Sequence, residues 1–305
     1  MSTFCEDRVV IVTGAGRGIG REYALMLAEH GARVVVNDLG GARDGEGVDA
    51  GPAEEVASEI RAGGGEAIAN TSNVADFKSA HEMIHQAIDK YGRLDALVNN
   101  AGILRDRMLV NMQEKEWDAV INVHLKGTFA PAHHAAQYWR EQSKAGNTID
   151  ARLINTTSVS GIYGNPGQTN YGAAKAGIAA FSVISARELA RYGVTVNCIA
   201  PGALTRLTED LHPGEITDEM REAQSPRWIA PIVTWLVSRE SSDVTGRVFE
   251  ASGGVLAVAE GWNRGPTVKP VQDPTVLGPI VREMVGAAQL NTGMNGAPLD
   301  GGLDS

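Results

Sequence analysis

The sequence predicts an α/β fold, a doubly wound parallel sheet with helices on both faces. Short β-branched runs alternate with longer helical segments from Arg8 onward, which is the pattern of strand–helix–strand units. The runs are unbroken in their apolar character, as strands buried on both faces should be. The first run passes directly into a glycine turn that opens a helix, the arrangement that places a phosphate against free helix N–H groups.

Arg8-Val9-Val10-Ile11-Val12 is the first strand, and the helix after the glycines runs through Glu29. Between them Gly14, Gly16, Gly18 and Gly20, with Arg17 and Ile19, form a turn spaced Gly-x-x-x-Gly-x-Gly. Glycines let the chain turn sharply and let a pyrophosphate come close to the helix N-terminus. Arg33 to Asp38 is the second strand, and Asp38 ends it. A carboxylate there accepts hydrogen bonds from adenosine ribose hydroxyls and repels a 2′-phosphate, which favours NAD over NADP. Arg17 and Arg43 lie nearby in sequence and can meet a phosphate, so NADP stays open. After a Gly/Asp-rich loop, Ala53 to Ala62 reads as helix, stopped by Gly63-Gly64-Gly65, and Glu66 to Asn70 as the third strand. Asn73 and Val74 follow where a polar group can touch an adenine edge. Asp76 caps a helix to Tyr91, and Leu94 to Asn99 is the fourth strand, leading into Asn100-Ala101-Gly102.

Glu114 to Arg140 reads as one long helix containing Asn122. A buried amide there needs partners, because an unpaired polar group costs roughly 1–3 kcal/mol, and it can hold a water beside a lysine. His133 and His134, further along, have no acidic or Cys partners at metal spacing and read as surface or interface groups. Leu153 to Thr157 is the next strand, and Ser158 stands at its carboxyl end, where open α/β sheets bind ligands. A Gly/Pro/Asn loop leads to the helix Tyr171 to Arg191. Tyr171 and Lys175 are four apart and share one helical face. A free tyrosine has a pKa of roughly 10 and is a poor base at neutral pH. An ammonium at about 4 Å and an effective dielectric of about 20 favours the phenolate by roughly 4 kcal/mol before desolvation, which opposes it. Such a tyrosine suits acid–base work at an alcohol or carbonyl, with the Ser158 hydroxyl holding the substrate oxygen. Val194 to Ile199 is a further strand, ending in Ala200 to Thr205; Thr205 can hydrogen-bond a nicotinamide carboxamide. Residues 206–224 read as a lid or substrate loop, Trp228 to Val237 as a helix and Arg247 to Glu250 as the last strand.

The chain has 305 residues, enough for one α/β domain, placed at residues 1–263, with a Gly/Pro-rich extension at 264–305 that has little periodicity outside Pro279 to Ala288. A net charge of −10 without a Lys/Arg-rich block argues against a nucleic-acid partner. Two cysteines, Cys5 and Cys198, give no disulfide framework and suit a reducing, cytoplasmic setting. The N-terminus does not read as a signal peptide, nor the C-terminus as a peroxisomal signal. No apolar run of about 18 residues suggests a membrane span.

Thr13-Gly14-x-x-x-Gly18-Ile19-Gly20, Asn99 to Gly102, Asn122, Ser158, Tyr171-x-x-x-Lys175 and Pro201-Gly202 resemble, in order and spacing, the short-chain dehydrogenase/reductase family over about residues 6–255. The resemblance implies a Rossmann-type sheet of about seven parallel strands. It implies a nicotinamide cofactor reached also by Asn100, Ala101, Gly102, Pro201 and Gly202, and a catalytic set of Asn122, Ser158, Tyr171 and Lys175, with Tyr171 and Lys175 also at the cofactor. It further implies a homodimer or homotetramer through the helices that carry Asn122 and Tyr171. The stretches Val34 to Gly41, Asn99 to Arg107 and Ser160 to Asn165 are similar to the (3R)-3-hydroxyacyl-CoA dehydrogenase regions of peroxisomal multifunctional enzymes. That likeness implies oxidation of a 3-hydroxyacyl-CoA with NAD. The alternatives are a 17β-hydroxysteroid or other free secondary alcohol as substrate, or a nucleotide-binding protein without turnover.

Overall fold

The computed structural model describes residues 3–42, 44–45, 47, 49–205, 209 and 214–299. Arg43 and the 206–208 and 210–213 portions of the expected lid, with His212, lie outside the described residues. The packing divides the chain after Ala259 into two units, each taken by itself.

The first unit begins with β1 (Val9–Thr13), whose five side chains are all buried. Then come α1 (Gly18–Glu29), β2 (Arg33–Asn37), α2 (Gly51–Ala62), β3 (Glu66–Asn70), α3 (Phe77–Tyr91) and β4 (Ala96–Asn99). The second half runs α4 (Glu114–Ile121), a π-helical turn (Asn122–Lys126), α5 (Gly127–Lys144), β5 (Ala151–Thr156), α6 (Val159–Ile162), α7 (Thr169–Leu189) and β6 (Val194–Gly202). It closes with α8 (Asp218–Ala223), α9 (Ala230–Val237), β7 (Val248–Ser252) and β8 (Leu256–Ala259). Among the described residues the strands form one eight-stranded sheet, ordered β3-β2-β1-β4-β5-β6-β7-β8. Seven strands are parallel and β8 is antiparallel to β7, pairing Val248 with Ala259 and Ala251 with Leu256.

Two apolar layers cover the sheet. One gathers Tyr23, Leu27, Val56, Ile60, Val233 and Leu236 from α1, α2 and α9. The other gathers Met83, Ile84, Trp139 and Ala186 from α3, α5 and α7. The strands are therefore buried on both faces, which is why their sequence does not alternate. The chain winds from β1 outward to β3, returns to β4 beside β1, and continues the other way. The crevice between the carboxyl ends of β1 and β4 is thus the switch point where such sheets bind ligands.

Two elements differ from expectation. The strand β8 follows a Ser252-Gly253-Gly254 turn, in which Ser252 N–H donates to the Val255 carbonyl at 2.8 Å; Gly-Gly between two apolar runs is a hairpin signal. The helix expected over residues 114–140 is interrupted by the π-helical turn, where Gly127 N–H reaches back five residues to the Asn122 carbonyl. Pro131 inside α5 has no amide to give the Gly127 carbonyl, so the helical ladder is broken there too. His134, expected at the surface, is buried, with Nε2 at 2.9 Å from the Phe77 carbonyl. In the second unit α10 (Leu277–Ala287) is the one α-helix among the described residues.

Candidate active site

The switch point is drawn closed by a few polar contacts. Asn100 Nδ2 donates to the carbonyls of Thr13 and Gly14, both at 3.1 Å, and Thr13 Oγ1 accepts the Asn100 and Ala101 amides at 2.9 and 3.1 Å. Gly14 has φ +63°, and a Cβ there would lie 2.7 Å from Ala101 Cα; a Cβ on Gly20 would lie 2.1 Å from the Gly14 carbonyl oxygen. Side chains at these positions would collide with the neighbouring backbone, so the turn closes this tightly only with glycine. The N-cap of α1, Arg17, is exposed and makes no side-chain cap, and no acidic residue occupies the first turn. The N–H groups of Gly18, Ile19 and Gly20 therefore keep their attraction for an anion. Thr205 closes over this turn, its Cγ2 3.5 Å from where a Gly18 Cβ would stand.

Asp38 follows β2, and its carboxylate accepts Gly16 N–H at 2.8 Å and Gly40 N–H at 2.7 Å. These bonds fix a negative charge beside the glycine turn; each oxygen keeps further acceptor capacity for a hydroxyl. Asn73 is exposed, whereas the Val74 side chain belongs to the core beneath Gly127, leaving its backbone as the part that can face a ligand. Pro201 is half-buried and Gly202 exposed at the end of β6.

At the neighbouring carboxyl end of β5, Ser158 is buried and caps α6, its Oγ accepting Ser160 N–H at 3.2 Å. A Cβ on Gly161 would lie 2.6 Å from Lys175 Cβ, so α6 can lie against α7 only because that residue is glycine. Thr157 Oγ1 donates to the Lys175 carbonyl at 2.6 Å, and Lys175 Nζ to the Thr156 carbonyl at 2.7 Å. These bonds bring one turn of α7 to the strand end. Lys175 Nζ stands 5.4 Å from the centre of the Tyr171 ring, and Ser158 lies close enough to the Tyr171 hydroxyl to favour its phenolate. Ser158, Tyr171 and Lys175 are thus neighbours at this strand end.

The electrostatics differ from what the sequence predicts. Burial pushes Tyr171 up to about 12; Ser158 pulls it down, and the Asp106 carboxylate pushes it up. Desolvation is the largest of these effects and favours the neutral phenol. The same burial brings Lys175 down to about 8, so its proton is held weakly just above neutral pH.

The Asn122 side chain makes no hydrogen bond to this cluster among the described residues. It is exposed at the start of the π-helical turn. The side chain that this turn does present is His124, 3% exposed, with its ring edge-on to Tyr171 at 5.1 Å between centroids and 88° between planes. Two residues apart on a helix point to opposite sides. The signal was in the spacing: Val120, His124, Gly127 and Thr128 stand at i, i+4, i+7 and i+8, the buried stripe of an amphipathic helix, and all four are buried. Sequence reading also missed how the Arg105-Asp106-Arg107 segment docks. Gln168 Nε2 donates to Asp106 Oδ2 at 2.8 Å, and Asn170 Nδ2 to the Arg105 carbonyl at 2.9 Å. The following Met108, Leu109 and Val110 are exposed at the rim beside α7. Across the cluster, the Tyr163 hydroxyl donates to the Glu250 carboxylate and ties the segment after Ser158 to β7.

The profile of the short chain dehydrogenase family matches residues 8–215. A short chain dehydrogenase of known crystal structure from Mycobacterium avium is 50% identical, with a TM-score of 0.86 over 98% of this chain and 99% of that one. The hydroxyacyl-CoA dehydrogenase ChsB1 of Mycobacterium tuberculosis is 41% identical over 83% of this chain and 79% of its own length. Peroxisomal multifunctional enzyme type 2 of Drosophila melanogaster is 42% identical over 92% of this chain, which spans 44% of that longer protein.

Proposed function

The chain belongs to the short-chain dehydrogenase/reductase family, and from that premise we propose that it oxidises a 3-hydroxyacyl-CoA to the 3-ketoacyl-CoA with NAD. The coarser statement is secure from its relatives: it is an oxidoreductase acting on CH–OH, with a nicotinamide dinucleotide as cofactor. The observation that carries the chemistry is the meeting of Ser158, Tyr171 and Lys175 beside a glycine cradle at the sheet's switch point.

The residues present fit the cofactor. Gly14, Gly16, Arg17, Gly18, Ile19 and Gly20 would hold its pyrophosphate, and Asp38 the adenosine ribose. Asn100 to Gly102, Pro201, Gly202 and Thr205 would line the remainder, with Asn73 and Val74 at the adenine. The bound nicotinamide supplies the hydride acceptor. Ser158 orients the substrate hydroxyl, and Tyr171 takes its proton as the carbonyl forms. Lys175, tied to Thr156, stabilises the phenolate that Tyr171 becomes when it gives up its own proton. The charge fixed on Asp38 supports NAD over NADP. The named relatives support the substrate class. At the rim, Met108 to Val110 offer an apolar path for an acyl chain. A cytoplasmic setting suits the buried, unpaired Cys5 and Cys198.

The test follows NADH absorbance with (3R)- and (3S)-3-hydroxyacyl-CoA of medium chain, steroid side-chain CoA esters and a free 17β-hydroxysteroid, each with NAD⁺ or NADP⁺. Turnover of one CoA epimer, at least tenfold better with NAD⁺, is expected. Turnover of the free alcohol alone overturns the substrate; preference for NADP⁺ overturns the role of Asp38. NADH binding without turnover of any substrate overturns the enzyme reading.

A further inference from the structure

His124 is a buried imidazole whose two nitrogens stand in different situations. Nε2 lies 2.8 Å from the Ile103 carbonyl oxygen and 3.1 Å from the Ile103 amide nitrogen. Nδ1 is buried and has no hydrogen-bond partner among the described residues. Neither tautomer removes that need: with Nε2 protonated, Nδ1 is an unmet acceptor, and with Nε2 bare it is an unmet donor. An unmet buried polar atom of this kind is what ordered waters commonly satisfy. Its surroundings are those of the reacting groups. The ring packs edge-on to Tyr171, feels the charge of Lys175, and bears on Gly102, where a Cβ would meet its Cε1 at 2.5 Å.

Resting on the functional reading above, we propose that His124 is a positioning residue of the proton path, its Nδ1 holding a water that Lys175 shares. In this arrangement one proton passes from the substrate hydroxyl to Tyr171 as the phenolic proton leaves toward Lys175. One proton passes from Lys175 through the water to solvent. His124 itself gains and loses none. Burial and the Lys175 charge, which bring the imidazole down to about 3, keep it neutral for that task.

Two substitutions separate a hydrogen bond from packing. H124F keeps a ring against Tyr171 and removes the nitrogen; H124N restores a polar group. The expected result is a fall in kcat of about tenfold or more in H124F, short of the 10²–10⁴ range of a group that itself transfers the proton. NADH affinity and KM should stay within about twofold, and H124N should recover most of the loss. Nitrogen NMR of the cofactor-free protein gives a readout apart from activity: His124 should be neutral at pH 6 with Nδ1 hydrogen-bonded. An H124F variant with wild-type kcat overturns the proposal, as does an H124N variant no better than H124F, or a cationic His124 at pH 6. Should H124F not fold, H124N and the NMR result decide. If the wild type turns over no substrate, the functional reading fails, while the NMR result still judges His124.

Discussion

At the residue scale, burial decides the protonation of the site more than pair attraction does. Lys175 and Tyr171 are each moved toward their neutral forms by loss of water, and His124 is moved furthest in practical terms, down to about 3. For His124 this has a consequence for stability. The unfolded chain takes up a proton below about 6.5 and the folded chain does not, so the unfolded state binds more protons and stability falls as pH drops from 6.5 toward 3. The charged group facing it is Lys175 of α7, which stays cationic throughout that window. At pH 5 the penalty is on the order of 2 kcal/mol, about 1.4 kcal/mol per pH unit. Denaturant unfolding at pH 7 and pH 5 should therefore show H124N losing less stability on acidification than the wild type; parallel losses would sink the assignment. The sequence made Ser158, Tyr171 and Lys175 legible because a strand end and a four-residue helical spacing determine where they point. It did not single out His124, because a polar residue type, Asn122, was weighed above the buried stripe through Val120 and His124. The pKa direction of Tyr171 was illegible because desolvation depends on the packing of α6, α7 and the Asp106 segment together.

At the element scale, the π-helical turn between α4 and α5 aims His124 inward, and such turns are frequent at functional sites. Its boundary was not legible, since one extra residue in a turn leaves the helical pattern on either side intact. β8 was missed for another reason: its Leu256 and Val258 are exposed at the sheet edge, so the run has no buried face to mark it. The helices around the turn also carry exposed apolar side chains: Trp117 on α4, Phe129 on α5 and Ile184 on α7. Large exposed apolar groups on neighbouring helices support pairing with a second copy, in keeping with the homodimer or homotetramer implied by the family resemblance. Light scattering should give a mass of two or four chains; the 32.2 kDa of one chain would contradict the pairing.

At the scale of the molecule, the winding of the sheet is what makes the chemistry local. Reversal of strand order between β1 and β4 opens one crevice, the glycine turn of α1 lines one side of it, and β5 delivers Ser158 and the Tyr171–Lys175 face of α7 to the other. Among the described residues no helix is long and apolar enough to cross a membrane. The architecture was legible from the sequence because each parallel strand is an unbroken apolar run followed by a helix, and that alternation leaves few topologies. The central claim is that Tyr171 moves the proton in this crevice. Its most direct test is the rate of NADH formation by Tyr171→Phe, measured against the wild type on the hydroxyacyl-CoA the wild type oxidises, with NADH binding measured on both proteins. The account predicts a loss of at least 10²-fold in kcat, the lower end for an acid–base group, with NADH still bound; turnover at the wild-type rate would contradict it.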